Sequence, residues 1–96
     1  MLSMPMDAKF FPGVIVITPG ARAAFKQTGD EIQSFLTRDM RGDWGELDTH
    51  DRQENEYSLR RGFRLLSAYT LSDDTRIWII TEADRSATTI LLPAEY

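Results

Sequence analysis

Apolar residues follow two different periods along this chain, and the change of period sets its organisation. Val14-Ile15-Val16-Ile17 is a β-branched run bounded by Gly13 and Pro19, the pattern of a buried strand. Thr18-Pro19 then reads as a helix start, with Thr18 as cap and Pro19 at the first helical position, where its missing N–H costs nothing. The short helix that follows presents Ala21, Ala24 and Phe25 to one side and stops at Gly29. Over residues 30–41, Ile32, Phe35, Leu36 and Met40 fall at i, i+3, i+4 and i+8, one face of an amphipathic helix. Asp30 and Glu31 at its start and Arg38 and Arg41 near its end have the signs its dipole favours.

After a Gly42-Asp43-Trp44-Gly45 turn, Asp48 or Thr49 is placed to cap a third, mostly polar helix over residues 51–61. From Phe63 onward the period drops to that of strands, at residues 63–71, 76–82 and 87–92. Ser72-Asp73-Asp74 and Ala83-Asp84-Arg85-Ser86 link them, and links this short force antiparallel neighbours. In the middle strand Ile77 and Ile79 alternate with Trp78 and Ile80, so both faces are apolar, as in a central strand covered by helices on at least one side. The expected fold is α+β: an N-terminal strand, two to three helices, then a three-stranded antiparallel meander with helices on one sheet face. Residues 1–12 show neither period and are read as a flexible arm before a single domain at 13–96. The last strand carries no charge from Thr88 to Leu92, so its edge is expected either to pair with the N-terminal strand or to join a second copy as a homodimer.

Composition narrows the function classes. With 42% hydrophobic and 27% charged residues the chain has a globular balance and is too short for two domains. There is no cysteine, which removes disulfides and thiolate chemistry and fits a reducing, cytoplasmic setting. No apolar run approaches the ~20 residues of a membrane span. The net charge of −4 argues against nucleic acid as partner, although Arg60, Arg61 and Arg64 form a small basic cluster. Neither cofactor nor metal is expected.

Two groups of residues are candidates for function. Asp43, Glu46, Asp48, Asp51, Glu54 and Glu56 put six carboxylates into a stretch opposed only by Arg52, a negative surface that would speed association with a basic partner; the plainer reading is a solvated helix face. Trp44, between two glycines, is either a recognition tip within that surface or a lid folded over the helix carrying Phe35 and Met40. The partner-binding set is therefore Asp43, Trp44, Glu46, Asp48, Asp51 and Glu54. An alternative polar site joins His50, Asn55, Glu82, Asp84 and Arg85, which would need to meet in one cleft for acid/base chemistry. The same residues have plain structural readings: cap neighbours, hairpin turn and surface ion pairs.

The words Gly42-Asp43-Trp44-Gly45, Asn55-Glu56, Trp78-Ile79-Ile80-Thr81-Glu82-Ala83-Asp84-Arg85 and Leu91-Leu92-Pro93-Ala94-Glu95-Tyr96 resemble a group of small bacterial proteins of unknown function, often labelled plasmid-related. The resemblance covers residues 14–96 and implies a gene carried on mobile elements, with no catalytic residues to transfer. The resulting expectation is a non-enzymatic acidic module that binds a protein partner, for instance as an inhibitor of a host-defence complex. The alternative is a small metal-free hydrolase or ribonuclease-like toxin.

Overall fold

In the computed structural model, which describes residues 4–96, three helices and a four-stranded mixed sheet make one α+β unit. The elements run β1 (Val14–Ile17), α1 (Pro19–Thr28), α2 (Ile32–Met40), α3 (Thr49–Arg61), β2 (Leu65–Thr70), β3 (Arg76–Thr81) and β4 (Ala87–Leu91), closed by a 3-10 turn at Pro93–Glu95. No helix among the described residues is long and apolar enough to cross a membrane.

Helix ends follow local chemistry. The Thr18 hydroxyl accepts the Ala21 N–H at the start of α1, and Gly29 ends that helix with φ 77°. Asp48 caps α3 through the Asp51 N–H, so α3 begins at Thr49, slightly ahead of its expected start. Helix α2 begins later than its pattern suggested, at Ile32 with no side-chain cap, and the Asp30 carboxylate accepts the Ser72 N–H at 2.8 Å.

The sheet order is β1-β4-β3-β2. The expected meander is present as β2-β3-β4, but the sheet is four-stranded and mixed, since β1 joins β4 in parallel with Val14 opposite Ala87 and Ile17 opposite Ile90. A parallel neighbour is possible because the chain between β1 and the meander runs through three helices rather than a hairpin. The edge of β4 is thereby closed within the chain, which settles the two outcomes expected for it.

Register places Ser67, Tyr69, Ile77, Ile79, Thr88, Ile90, Ile15 and Ile17 on one face. On this inner face the sheet meets Ala21 and Phe25 of α1 and Leu36 and Met40 of α2. Thr81 and Thr88, also buried there, share a hydrogen bond of 2.8 Å, and Thr88 donates onward to the Pro12 carbonyl.

Part of the segment read as a flexible N-terminal arm makes fixed contacts with the domain. Met1–Ser3 lie outside the described residues; within 4–12, Asp7, Lys9 and Phe10 dock onto the domain while Met6 and Phe11 stay exposed. Phe10 is a core residue, the Lys9 N–H donates to the Met40 carbonyl at 2.7 Å, and Asp7 pairs with Arg41 at 2.9 Å. No sequence period marks this docking, because the partners of Phe10 come from elsewhere in the chain.

The outer edge of β2 is sealed by two devices. The Gly45 segment runs parallel to β2 as a one-residue bridge, with Ala68 N–H donating to the Trp44 carbonyl and Glu46 N–H donating to the Ala68 carbonyl. One residue pair further along, the Asn55 amide takes the place of a strand: its Nδ2 donates to the Leu66 carbonyl and its Oδ1 accepts the Leu66 N–H. Gly45 is indispensable to the first device, because it has φ 76° and an added Cβ would collide with the Ala68 carbonyl oxygen. Gly29 has a similar φ of 77° but open space around it. Gly45→Ala is therefore expected to cost on the order of 3–5 kcal/mol and Gly29→Ala only about 1 kcal/mol, measured by urea unfolding; equal costs would show that backbone conformation alone, not the bridge, requires Gly45.

Candidate functional site

The acidic stretch is only partly a surface available to a partner. Asp43 pairs with Arg38 at 2.8 Å, and this contact holds its carboxyl below the usual carboxylate range. Glu46 accepts from Thr70 and lies 3.6 Å from Arg76. Glu56 accepts the Trp44 indole N–H at 2.7 Å. What remains without a Lys or Arg partner among the described residues is Asp48, Asp51 and Glu54 in the first turns of α3, beside the exposed His50. Ligand atoms of Asp48, His50 and Asp51 come within 4.8 Å of one another, a consequence of Asp48 capping the turn that carries the other two.

Trp44 is a correction to the partner-binding set. Only 1% of it is exposed, and its ring stacks on Phe10 with centroids 6.3 Å apart. It is a lid on the core, not a recognition tip, because a domain of this size gains more from burying an indole than from displaying it.

The alternative polar set is dispersed. His50 contacts Asp51 and Glu54 at the start of α3. Arg85 instead donates to the carbonyls of Ser58 and Phe63 at the opposite end of that helix, and Ser58 stands about 12 Å along the axis from His50 at 1.5 Å per residue. Asn55 is consumed by Leu66, Asp84 accepts the Ser86 N–H within its own turn, and Glu82 faces Arg64 at 3.9 Å. These five side chains do not form one cleft.

The structure instead draws attention to the other face of the sheet. Strand alternation points Leu66, Ala68, Trp78, Ile80, Leu91, Val14 and Val16 away from the helices. Ala68 and Leu91 flank Trp78 across the strands and are buried, as is Ile80, yet all three stand outside the core cluster to which the helices contribute. At one end of this outer face lies a cleft of about 300 Å³ lined by Arg64, Leu65, Leu66, Trp78, Ile80 and Tyr96. Tyr96 is set there by the Pro93–Glu95 turn, which is fixed in turn by Glu95 accepting the Gly20 N–H at 2.9 Å at the start of α1. Its ring meets Trp78 edge-on at 5.7 Å, and Arg64 reaches its hydroxyl at 3.4 Å. The result is an apolar, aromatic-walled cleft with one guanidinium at the rim. It can hold an apolar side chain and offer Arg64 to an adjacent acceptor.

Trp78 and Ile80 carried a signal in the sequence. A central strand apolar on both sides, with helices for only one, leaves its second face without a helix over it, its apolar side chains covering one another. The contributions of Arg64 and Tyr96 were not signalled, since the cleft depends on the fold bringing residues 64 and 96 together. Compared with protein-family models, curated proteins and solved structures, the chain matches none.

One buried acid stands apart from both candidate sites. Asp39 of α2 is 1% exposed, accepts the Ser67 hydroxyl at 2.6 Å through Oδ1, and has no hydrogen-bond partner at Oδ2. Burial pushes its carboxyl up to about 7, partly offset by Ser67. Because the folded pKa is raised, the folded protein holds a proton that the unfolded chain has released between about pH 4 and about pH 7. Stability therefore falls as pH rises through that window and levels off above it. Asp39→Asn removes this slope. Its Tm relative to wild type should climb by several degrees from pH 4 to pH 8, whatever the offset at pH 4; a pH-independent difference would show that Asp39 stays ionised in the fold.

Proposed function

We propose that this protein is a non-enzymatic binding module that engages a protein partner through the outer face of its sheet. The observation that carries this reading is the apolar row Leu66, Trp78 and Ile80 beside the Arg64–Tyr96 cleft, on a face to which the helices supply no core side chain. Buried aromatic anchors in pockets with a charged rim are where binding energy concentrates in protein interfaces. The partner supplies an apolar side chain to the cleft, and Arg64 meets a carboxylate or carbonyl beside it. Asp48, Asp51 and Glu54 bias the approach of basic surfaces over longer range, an effect that fades with salt.

This keeps the protein-binding class expected from the sequence but moves its centre from Trp44 to Trp78. The finer reading, a host-defence complex as target of a mobile-element protein, is supported by the sequence resemblance alone. The hydrolytic reading loses its support, because the residues it needs sit on separate surfaces.

Photo-crosslinking from within cells tests the surface directly. Benzoylphenylalanine replacing Thr89 or Tyr96 on the outer face should capture one defined protein, and the same probe replacing Lys26 on α1 should not. Trp78→Ala in the Thr89 probe strain should weaken that capture about 30-fold or more, whereas Asp48→Lys with Asp51→Lys should change it only modestly and in a salt-dependent way. Equal capture from position 26, or indifference to Trp78→Ala, would remove the outer face as the docking surface.

A further inference from the structure

The two edges of the sheet are treated very differently. The edge of β2 is occupied by the Gly45 bridge and by the Asn55 amide. The edge of β1 has neither device. In its parallel ladder with β4, the Val14 N–H donates to the Ser86 carbonyl and the Thr18 N–H to the Ile90 carbonyl, so residues 14, 16 and 18 face inward along the hydrogen-bonding direction. By alternation the N–H and C=O groups of Ile15 and Ile17 face outward, and no described contact satisfies them. The strand also lacks the usual safeguards of an edge: within Val14–Ile17 there is no charge, no proline and no bulge, and Val14 and Val16 are 66% and 43% exposed.

We propose that β1 pairs with β1 of a second copy, antiparallel and about a two-fold axis at Val16, to make one continuous eight-stranded sheet. The register follows from the outward groups. Only Ile15 and Ile17 present them, and a symmetric pairing that exchanges both sets Ile15 opposite Ile17 of the partner, and Ile17 opposite Ile15, giving about four hydrogen bonds. Val16 then faces Val16 of the partner in the closer, non-hydrogen-bonded position. The segment is self-complementary because it is uncharged: an isologous contact places every residue near its own copy, and here no like charges meet within the strand. Pairing cannot extend further, because Gly13 leaves the extended region with φ 68° and Pro19, which begins α1, has no N–H to give. Two such short strands bury less surface than the ~1,200 Å² of a stable complex, so the dimer belongs to the weak, concentration-dependent class. It is independent of the docking proposed for the outer face, since the paired edge lies in the plane of the sheet and the Arg64–Tyr96 cleft lies away from it in both copies.

The absence of native cysteine allows a test that reads register as well as association. Val16→Cys and Val14→Cys are compared under mild oxidation by glutathione disulfide, after the melting curves of the reduced variants establish that both fold. In the proposed register the Cβ atoms of the two thiol side chains introduced at position 16 lie about 4.5–5.5 Å apart, close to disulfide geometry. Thiols introduced at position 14 are offset from each other by four positions, about 13 Å. Val16→Cys should give a disulfide-linked dimer at least about tenfold faster than Val14→Cys, even though position 14 is the more exposed. In parallel, sedimentation should show wild-type mass rising above monomer with concentration, while Val16→Lys stays monomeric. Faster or equal cross-linking at position 14, or a wild type that remains monomeric into the millimolar range, would overturn the proposal.

Discussion

The fold depends on one short contact, the parallel bridge that Trp44 and Gly45 make with Ala68. Through it the connection between α2 and α3 is pinned along the edge of β2, with the Ala68 N–H and C=O bound by Trp44 and Glu46. The same few residues fix three other parts of the chain. The Trp44 ring covers Phe10 and so holds the N-terminal segment. Its indole N–H binds Glu56 and so fixes the rotation of α3. The Asp43 carbonyl accepts the Tyr69 hydroxyl beneath α2. An indole with a charge-assisted hydrogen bond and a stacked aromatic neighbour is a strong anchor, and the glycine that follows it lets the backbone come close enough to use it.

Sealing β2 in this way has consequences for the rest of the surface. With α3 turned so that Asn55 replaces a fifth strand, the helices are committed to the inner face and the β2 edge. The outer face is left to Trp78, Leu66 and Tyr96, and the edge of β1 is left to solvent. Both are apolar features of a small chain that buries its other tryptophan almost completely. A sequence under pressure only to fold and stay soluble would place charge at such positions, which is the physical reason for reading them as contacts with other chains.

Much of this was legible in the residues, and the parts that were not share a cause. The β-branched run of β1, the Thr18-Pro19 helix start, the apolar stripe of α2 and the meander all follow from local pattern and lie close to where the pattern put them. But β1 is a half-exposed edge strand and not the buried strand its run suggested, because only β4 pairs with it. Asp30 illustrates where local reasoning stops: its sign suits a helix start, but its carboxylate is used by Ser72, distant in sequence. Phe10 and Asn55 have the same character, whereas the burial of Trp44 was one of the two readings its position allowed. Nothing around Asn55 reveals that its amide will serve as a strand, because the Leu66 backbone groups it satisfies are orphaned only once β2 becomes an edge. Asp39 falls beside Met40 on the buried side of α2, yet its burial is visible only when Ser67 is placed opposite.

The acidic character of the chain can then be assigned to structure more than to recognition. Asp30, Asp73 and Asp84 accept backbone N–H groups in turns, and hydrogen bonding holds each of their carboxyls below the ordinary range. Asp48 and Glu95 cap helices, and Glu56 orients Trp44. A carboxylate is well suited to each task, being short, rigidly placed and able to accept two donors at once. A net charge of −4 reached this way says little about what the protein binds. The discriminating feature is what the fold leaves unsatisfied, and that is an apolar face and an open strand edge, neither of which carries an acidic residue at its centre.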